Sequence, residues 1–555
     1  MNGAVLLLIA CSVFLCGYFL YSRLIGKVLG IDPSRQTPAI TKQDGVDYVP
    51  AHPTVLFGHH FAAIAGAGPI VGPILAAEFG WLSVTLWIVL GCVFIGAAHD
   101  MISLFLSVRH EGESIGSVIG TILGKPGKIM FLLFSWSALV LVVAEFNRQI
   151  AGTFIADPAI ATASILFITE AVFFGLCVYK WKMSVLWASL IFVPLMFAFV
   201  WVGNAFPLDL VKLFGMSKEA TTTLWTLVLI GYCFFASTCP VQYLLQPRDY
   251  LNAYLLYAMM ILGFLGVFVA HPPLNTDAFA GFVVQGSAGT DMLFPFLFVT
   301  VACGACSGFH ALVASGTSSK QISNEKSIRP IAYGGMLLEG VLAMIALIGV
   351  AGTYASQGEY VETIRGMVPV QMFASTIAGF CVKVGIPQRA AESFMLLSVA
   401  AFLMTTVDAG TRLARFSWQE LMPKKTVAHN MYVGTFIVCA LAAGLLLGNP
   451  EAAKQLWTLF ASANQLLASL TLLTATLWFF MNRKGRWSWI TGIPMMFMFS
   501  VSSWALGAIL LKSWKNGQMI QLVSSGFLLT LAAVLVVITA RRVLSGNGSA
   551  PAEGK

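Results

Sequence analysis

Charged side chains are scarce in this chain of 555 residues, since Asp, Glu, Lys and Arg together make up 10% of it. Soluble globular domains carry about 25%. Hydrophobic residues make up 58% of the chain, and its mean hydropathy is +0.83. The composition therefore excludes an ordinary soluble protein and predicts a polytopic membrane protein.

Signatures of soluble enzymes and of disulfide scaffolds are also lacking. The ten cysteines are scattered, and the only close pair, Cys303 and Cys306 in "CGAC", fits small-residue packing better than a metal or redox site. "HEGES" from His110 lacks the second histidine of a zinc protease helix, and "GTILGKPG" lacks the Ser or Thr of a phosphate-binding loop. We expect no enzyme, no disulfide framework, no metal and no cofactor.

Long polar segments are missing too, so no soluble domain is inserted between the apolar runs. Runs of about 20 residues, long enough to cross the bilayer, recur almost end to end. They predict an all-α polytopic fold with about 15–16 transmembrane helices, the first retained rather than cleaved as a signal peptide. The predicted spans are 3–22, 54–77, 80–108, 127–147, 158–179, 183–203, 221–240, 250–271, 291–315, 328–352, 389–411, 428–447, 455–481, 488–511 and 519–540, with 112–124 and 365–384 as possible re-entrant pieces.

The net charge of +8 follows membrane topology rather than nucleic-acid binding. With the N-terminus outside, the fifteen spans place more than two thirds of the 32 Lys and Arg residues on one face. By the positive-inside rule that face is cytoplasmic, and so is the C-terminus. The tail 543–555 is small, polar and expected to be disordered in the cytoplasm.

Two of the spans are interrupted by glycine and proline. "GHHFAAIAGAGPIVGP" begins at Gly58, and "VACGACSGFHALVASGTSSKQ" begins at Val301. Glycine costs about 1 kcal/mol and proline about 3 kcal/mol inside a helix, and irregular backbone at membrane depth requires a cavity or a protein environment. The two spans run in opposite directions, so they predict discontinuous helices within an inverted-repeat core, with backbone groups available to a ligand.

Titratable residues at membrane depth cost about 2.5 to 3.5 kcal/mol each, so each needs a partner or a wet cavity. Glu145 and Arg148 have the i, i+3 spacing of a structural ion pair, whereas Glu170 and Glu339 could face either a crevice or a partner helix. Six others fall in the half of their spans nearer the cytoplasm: His59, His60, His99, Asp100, His310 and Asp408. Such a cluster could bind a cation, relay a proton or hold an anion, although each residue alone could equally serve packing.

Hydroxyl and amide groups mark three further helical stretches. "TTVDAGTR" from Thr405 offers hard oxygen ligands for Na⁺ or a proton-carrying carboxylate, although Thr405 and Thr406 could instead bond to their own helix. "SGTSSK" from Ser315 offers four hydroxyls where the second interrupted helix should end. Asn464 and Gln465 in "SANQLLAS" predict hydrogen bonds between helices.

Several long strings resemble the carbon starvation (CstA) family. They are "GHHFAAIAGAGPIVGPILAAEFGW", "GAAHDMISLF", "LLQPRDYLNAYLL", "ACGACSGFHALVASGTSSKQ", "TTVDAGTRLAR" and "LFASANQLLAS". The resemblance implies a secondary transporter of pyruvate or small peptides in the bacterial inner membrane, with the broken-helix fold of sodium-coupled amino-acid carriers. It implies a core over 1–385, a five-helix region over 386–542, and a sodium-site role for Thr405 and Thr406.

We therefore hypothesise symport of a small carboxylate, most plausibly pyruvate, with H⁺ or Na⁺, with uptake of small peptides as the alternative. A membrane haem or metal protein and a substrate sensor are the alternatives of other classes. The expected partners are a small-molecule substrate and the bilayer, without nucleic acid. The candidate substrate-binding residues are His59, His60, Gly66, Gly68, Gly304, Ser307, Gly308, His310 and Ser315, and the candidates for cation coupling are His99, Asp100, Thr405, Thr406 and Asp408.

Overall fold

The computed structural model describes residues 1–45, 48–240, 243–286, 289–448 and 456–544, and they form an all-α bundle. Twelve helices in these ranges are long and apolar enough to cross a membrane, and one bent pair gives a thirteenth. The twelve are Gly3–Leu29, Trp81–Arg109, Ile115–Ala156, Pro158–Lys180, Val185–Ala205, Lys218–Thr238, Leu245–Ala270, Glu325–Thr353, Gln388–Leu421, Leu456–Met481, Trp489–Asn516 and Met519–Leu544.

The bent pair is the first broken helix, Pro53–Ile64 followed by Gly68–Phe79, with a bend of 44°. The second broken helix consists of three pieces, Leu293–Thr300, Ala302–Ala305 and Gly308–Gly316. Met431–Leu447 and Pro369–Lys383 are shorter unbroken helices. The predicted polytopic all-α fold with discontinuous helices is therefore confirmed, while its inverted-repeat relation and its division at residue 385 stay predictions.

The two stretches expected to be re-entrant differ from each other. Residues 365–384 contain the continuous helix Pro369–Lys383, so no re-entrant turn forms there. Residues 112–124 include the first part of the helix Ile115–Ala156. The direction of this helix reverses at Gly124, where φ is 77°. The first part packs back on the second, since Lys128 donates to Ser117 at 2.9 Å. Gly124 allows this reversal because it lacks the Cβ that disfavours positive φ.

Burial separates central helices from peripheral ones. The most apolar windows of Gln388–Leu421 and Leu456–Met481 are 89% buried, whereas that of Val185–Ala205 is 22% buried. The central helices carry the polar residues, and the peripheral ones expose large apolar side chains such as Leu186, Trp187 and Trp201. The polar groups therefore lie in the interior of the bundle, away from the lipid.

One end of the first broken helix is covered by a cap. Two antiparallel strands, Val283–Gly286 and Gly289–Met292, pair Val283 with Met292. Arg365, on the helix Gln357–Gly366, donates to Gly286 O at 3.2 Å. Gln357 of the same helix donates to the carbonyls of Ala77 and Glu78 at 3.0 and 3.1 Å. The cap thus supplies a donor to the carbonyl of Glu78 at the helix end and a second donor to that of Ala77, which also accepts from Gly80 N–H. Of the predicted tail, residues 545–555 lie outside the described residues.

Candidate functional site

The first broken helix is interrupted at Ala65 to Ala67. Ala65 leaves the helical region with ψ of 59°, and its N–H still bonds to Phe61 O at 2.9 Å. The next helix starts at Gly68, with Pro69 in its first turn, a position that proline tolerates because the first N–H groups lack partners. The N–H groups of Ala67 and Gly68 form no hydrogen bond to another described residue. They are therefore available at the positive end of a half-helix.

The glycines of this break are contact points with two other helices. A Cβ on Gly66 would lie 2.6 Å from Thr406 Oγ1, and a Cβ on Gly68 would overlap the side chain of Cys303. A Cβ on Gly72 would lie 2.7 Å from the carbonyl oxygen of Thr300. The first break therefore packs directly against the second broken helix and against the helix Gln388–Leu421.

The second broken helix opens at Cys306 and Ser307, which both have extended backbone. Gly304, before the opening, faces Ala343, and a Cβ there would lie 3.0 Å from the alanine methyl group. Gly308, after it, packs so closely on the backbone of the helix Leu456–Met481 that a Cβ would overlap Asn464 O. Glycine at these positions permits the close approach of the backbones.

Asn464 occupies the start of the last piece of the second broken helix. Its Oδ1 accepts from the N–H of Phe309 at 2.8 Å, and its Nδ2 donates to Ser307 Oγ at 3.0 Å. Gln465 donates to Phe298 O at 2.6 Å. The predicted interhelical bonds of Asn464 and Gln465 are confirmed, but the expectation of an open backbone beside Ser307 and Gly308 needs correction at Phe309, whose N–H already has an acceptor.

Four buried side chains form what we call the histidine cluster: His99, Asp100, His310 and Glu339. Asp100 lies between two imidazoles, with Oδ1 at 2.7 Å from His99 Nδ1 and Oδ2 at 2.8 Å from His310 Nδ1. His310 Nε2 lies 3.2 Å from Glu339 Oε2. All four side chains have 0% exposure. Of the six residues that the sequence places at one depth, His99, Asp100 and His310 lie together, and Glu339 joins them. The other three, His59, His60 and Asp408, have other partners.

The two adjacent histidines of the first broken helix point to different partners. His60 is fully buried, and its Nδ1 lies 2.7 Å from Ser318 Oγ, beyond the end of the second broken helix. His59 is partly exposed, and its Nδ1 lies 3.4 Å from Asp249 Oδ2. His60 therefore connects the two broken helices, while His59 belongs to a second polar group.

That second group, the arginine cluster, consists of Tyr232, Arg248, Asp249 and Asp408. Arg248 is fully buried and is ion-paired with Asp408, to which Tyr232 OH also donates at 2.7 Å. Arg248 Nη2 lies 3.6 Å from Asp249 Oδ1. Asp408 is thus in ion contact with an arginine rather than with the histidine cluster. The sequence prediction missed Arg248 and Asp249 because it began that span at residue 250, whereas the helix begins at Leu245.

Thr405 and Thr406 both donate to carbonyls of their own helix, Ala401 O and Phe402 O, each at 3.0 Å. Thr405 Oγ1 also accepts from Asn252 Nδ2 at 3.0 Å. These are the self-directed bonds that were the alternative to a ligand role, and Thr406 also contacts Gly66. A sodium site at these hydroxyls stays a prediction.

Ser315 lies away from the breaks. Its Oγ donates to Ala311 O at 2.7 Å and accepts from the N–H of Ile115 at 3.2 Å. It lines a cavity of about 630 Å³, here called the polar vestibule, together with Tyr48, Lys128, Lys320, Glu420 and His429. Lys128 and Glu420 form an ion pair of 3.3 Å across it. Ser315 therefore belongs to an approach to the interior rather than to the breaks themselves.

The Glu145–Arg148 ion pair is confirmed at 2.6 Å and lies apart from both clusters. Glu170 is buried, and neither of its carboxylate oxygens has a hydrogen-bond partner among the described residues.

Two interrupted helices whose breaks meet among buried polar groups are typical of secondary transporters. The chain belongs to the family described as carbon starvation protein CstA, whose model matches residues 2–367 and 352–505. The resemblance seen in the sequence is thereby confirmed.

Relatives of the chain are named as transporters. The peptide transporter CstA of Campylobacter jejuni is 33% identical, over 89% of this chain and 78% of that protein. The peptide transporter CstA and the pyruvate/proton symporter BtsT of Escherichia coli are each 32% identical, covering 93% and 89% of this chain and 81% and 80% of their own lengths. Among solved structures, a mutant of the manganese transporter of Eremococcus coleocola is 12% identical, with a TM-score of 0.44 over 90% of this chain and 97% of that one. The family membership, the named transporter relatives and the apolar helices together make the chain a multi-pass membrane transporter of a small molecule.

Proposed function

We propose that this transporter imports a small carboxylate, with pyruvate as the first candidate, by symport with a cation, H⁺ or Na⁺. The observation that carries the proposal is the first break, where the N–H groups of Ala67 and Gly68 have no partner among the described residues and the breaks of two helices meet. A half-helix N-terminus attracts a carboxylate because its N–H groups and its dipole both favour negative charge. The pyruvate/proton symporter named among the relatives supports the same substrate class.

In this proposal the substrate-binding residues are those of the two breaks and the histidines beside them: His59, His60, Gly66, Gly68, Gly304, Ser307, Gly308 and His310. Ser315 would line the approach through the polar vestibule. The candidates for a part in cation coupling are His99, Asp100, Thr405, Thr406 and Asp408.

For its location we propose the bacterial inner membrane, with the N-terminus outside and the C-terminus in the cytoplasm. The support is the excess of Lys and Arg on one side of the fifteen spans predicted from the sequence.

Uptake of short peptides is the second candidate, and the names of the Campylobacter and Escherichia CstA relatives favour it. A peptide carries a carboxylate too, so the same half-helix end would bind it. What separates the candidates is the length of the cargo, because a peptide needs further space beyond the breaks.

The test is uptake of labelled pyruvate and of a labelled dipeptide into proteoliposomes, with pH and sodium gradients imposed separately. We expect pyruvate to accumulate against its gradient, and at one-to-one stoichiometry a tenfold ion gradient supports about tenfold accumulation. Accumulation of the dipeptide alone would replace pyruvate as the substrate. A protein that binds either compound without flux would be a sensor, and a Soret band or a tightly held metal would indicate the electron-transfer alternative.

A further inference from the structure

One face of the helix Gly335–Thr353 contacts both broken helices. At Gly335 it meets His60 of the first broken helix, since a Cβ on this glycine would lie 3.5 Å from His60 Cδ2. At Ala343 it meets Gly304 of the second broken helix. Glu339 lies midway between these contacts, one turn from each, because residues four apart share a helix face. This single carboxylate is therefore positioned between the two breaks.

Glu339 is fully buried, and neither of its oxygens forms a hydrogen bond within the described part of the chain. His310 Nε2, at 3.2 Å, is the basic group within ion-pair distance. A buried carboxylate that receives no hydrogen bond and has one basic neighbour costs free energy when it is ionised, and protonation removes that desolvation cost. The site thus favours a carboxyl group that exchanges a proton with its neighbour.

The titratable groups around Glu339 come from three elements: the two broken helices and the helix Trp81–Arg109. His310 and the thiols of Cys303 and Cys306 belong to the second broken helix. Asp100 is bonded to His310, which lies between Asp100 and Glu339. Cys92 faces Gly340 on the same helix as Glu339, and His60 contacts Gly335. Among these groups, His310 is the base that contacts Glu339, and imidazole is a side chain that both accepts and donates a proton.

We propose that Glu339 carries the coupled proton of the transport cycle, an inference that rests on the proposed symport. The proton passes from His310 Nε2 to Glu339 Oε2, so that an imidazolium and a carboxylate become a neutral imidazole and a neutral carboxylic acid. His310 takes this proton from water on the side where substrate binds. After access changes to the other side, Glu339 returns the proton to His310, which releases it to water there. The other imidazole nitrogen of His310 stays bonded to Asp100, which holds the ring in place for both steps.

Coupling to the substrate follows from charge. An anion bound at the breaks, beside Gly304, lies about one helical turn from Glu339 and repels its ionised form. Substrate binding therefore promotes protonation of Glu339, and loss of the proton promotes release of the substrate. Substrate anion and proton cross together, which is the stoichiometric requirement of symport.

The test uses the full chain in proteoliposomes and compares Glu339→Gln with the wild type in two assays. The first is accumulation of labelled pyruvate, and of the labelled dipeptide, driven by a pH gradient. The second is counterflow, in which labelled substrate exchanges with unlabelled substrate and no net proton movement is needed. We expect Glu339→Gln to lose accumulation, ending at equal concentrations inside and outside, while it keeps counterflow.

Glu170→Gln is the matched control, because Glu170 is also a buried carboxylate without hydrogen-bond partners among the described residues, and it lies on the helix Pro158–Lys180, outside both broken helices. It should accumulate and exchange substrate as the wild type does. Glu339→Asp keeps a carboxyl group and should retain accumulation with a displaced pH dependence, which a purely structural role would not produce. It also tests the proposal if Glu339→Gln does not fold.

If Glu339→Gln accumulates substrate to the wild-type level under a pH gradient, the assignment is overturned. It is also overturned if a folded Glu339→Gln protein loses both accumulation and counterflow. Failure of the wild type itself to accumulate either substrate in a pH gradient would instead overturn proton symport. The two failures are distinguished because one appears in the variant alone.

Discussion

Arg248 and Asp408 illustrate what a charge requires in the interior of this bundle. Both side chains are at or near 0% exposure, and Tyr232 donates to the same carboxylate. Removing one partner of such a pair leaves the other charge buried without compensation, which costs about 3–5 kcal/mol. The pair therefore connects the helices Leu245–Ala270 and Gln388–Leu421 as long as both charges are present.

Asp408→Asn should consequently lower the thermal unfolding midpoint of the purified protein and abolish uphill uptake together. The carboxylate is lost while the buried guanidinium of Arg248 remains. Unfolding in detergent, followed by tryptophan fluorescence, measures the first effect, and proteoliposome uptake measures the second. Glu145→Gln, which removes the carboxylate of an ion pair whose arginine is 30% exposed, should cost less.

The two effects also separate the roles of Asp408. A folded Asp408→Asn protein with unchanged stability and no accumulation would favour ion coupling over a structural ion pair. Unchanged uphill uptake would exclude the coupling role, and an unchanged unfolding midpoint would exclude the structural role.

At the scale of elements, the breaks of the two interrupted helices are contact surfaces as well as sources of free backbone groups. Gly66 lies against Thr406, Gly68 against Cys303 and Gly308 against the helix Leu456–Met481. A methyl group at any of these positions pushes two helices apart. Both helices lose packing contacts as a result, because protein interiors are close-packed.

Gly66→Ala should therefore impair uptake and stability, because its Cβ would lie 2.6 Å from Thr406 Oγ1. Thr406→Ala removes that oxygen and leaves the Cβ of residue 406 at an ordinary 3.5 Å. The double variant should recover stability relative to Gly66→Ala alone, and a double-mutant cycle of unfolding midpoints measures the coupling. Gly379→Ala, at a helical glycine with nothing within 4 Å of the new methyl group, is the control. Additive effects of Gly66→Ala and Thr406→Ala would contradict the contact.

Which of these features the sequence predicts depends on whether their cause is local. The break at Ala65 to Ala67 follows from Gly66, Gly68 and Pro69, whose effects on a helix act within a few residues. The partner of Asp408 does not follow, because Arg248 is 160 residues away and its helix starts earlier than hydropathy indicates. Asn464 was recognisable as an interhelical donor, yet its acceptors at the second break depend on packing alone. Glu339 was visible as a carboxylate at membrane depth, but only the fold shows that His310 reaches it.

At the scale of the whole molecule, the polar vestibule and the cap on the helix Gln357–Gly366 lie at different ends of the broken-helix region. The vestibule adjoins Ser315, Lys320 and the start of Ile115–Ala156, whereas the cap covers the end of the first broken helix at Ala77 and Glu78. Under the proposed orientation the vestibule faces the cytoplasm and the cap faces outward.

Cysteine labelling tests this arrangement. Ser117→Cys, in the lining of the vestibule, should react with a membrane-impermeant maleimide in inverted membrane vesicles and not in intact cells. Glu362→Cys, exposed on the cap helix, should show the opposite pattern. The unsubstituted chain gives the background from its own ten cysteines. Labelling of both variants from one side would contradict the assignment of opposite faces.

The side-chain amide of Asn464 occupies the second break. The amide oxygen stands where a carboxylate oxygen of a cargo would accept the same Phe309 N–H. An empty carrier therefore keeps this helix end satisfied, and an arriving anion gains only the difference between two hydrogen bonds, on the order of 1 kcal/mol, rather than a whole one. The amide of Asn464 thus competes with the substrate and limits the affinity for it. A modest affinity suits a transporter, because the substrate must dissociate in every cycle.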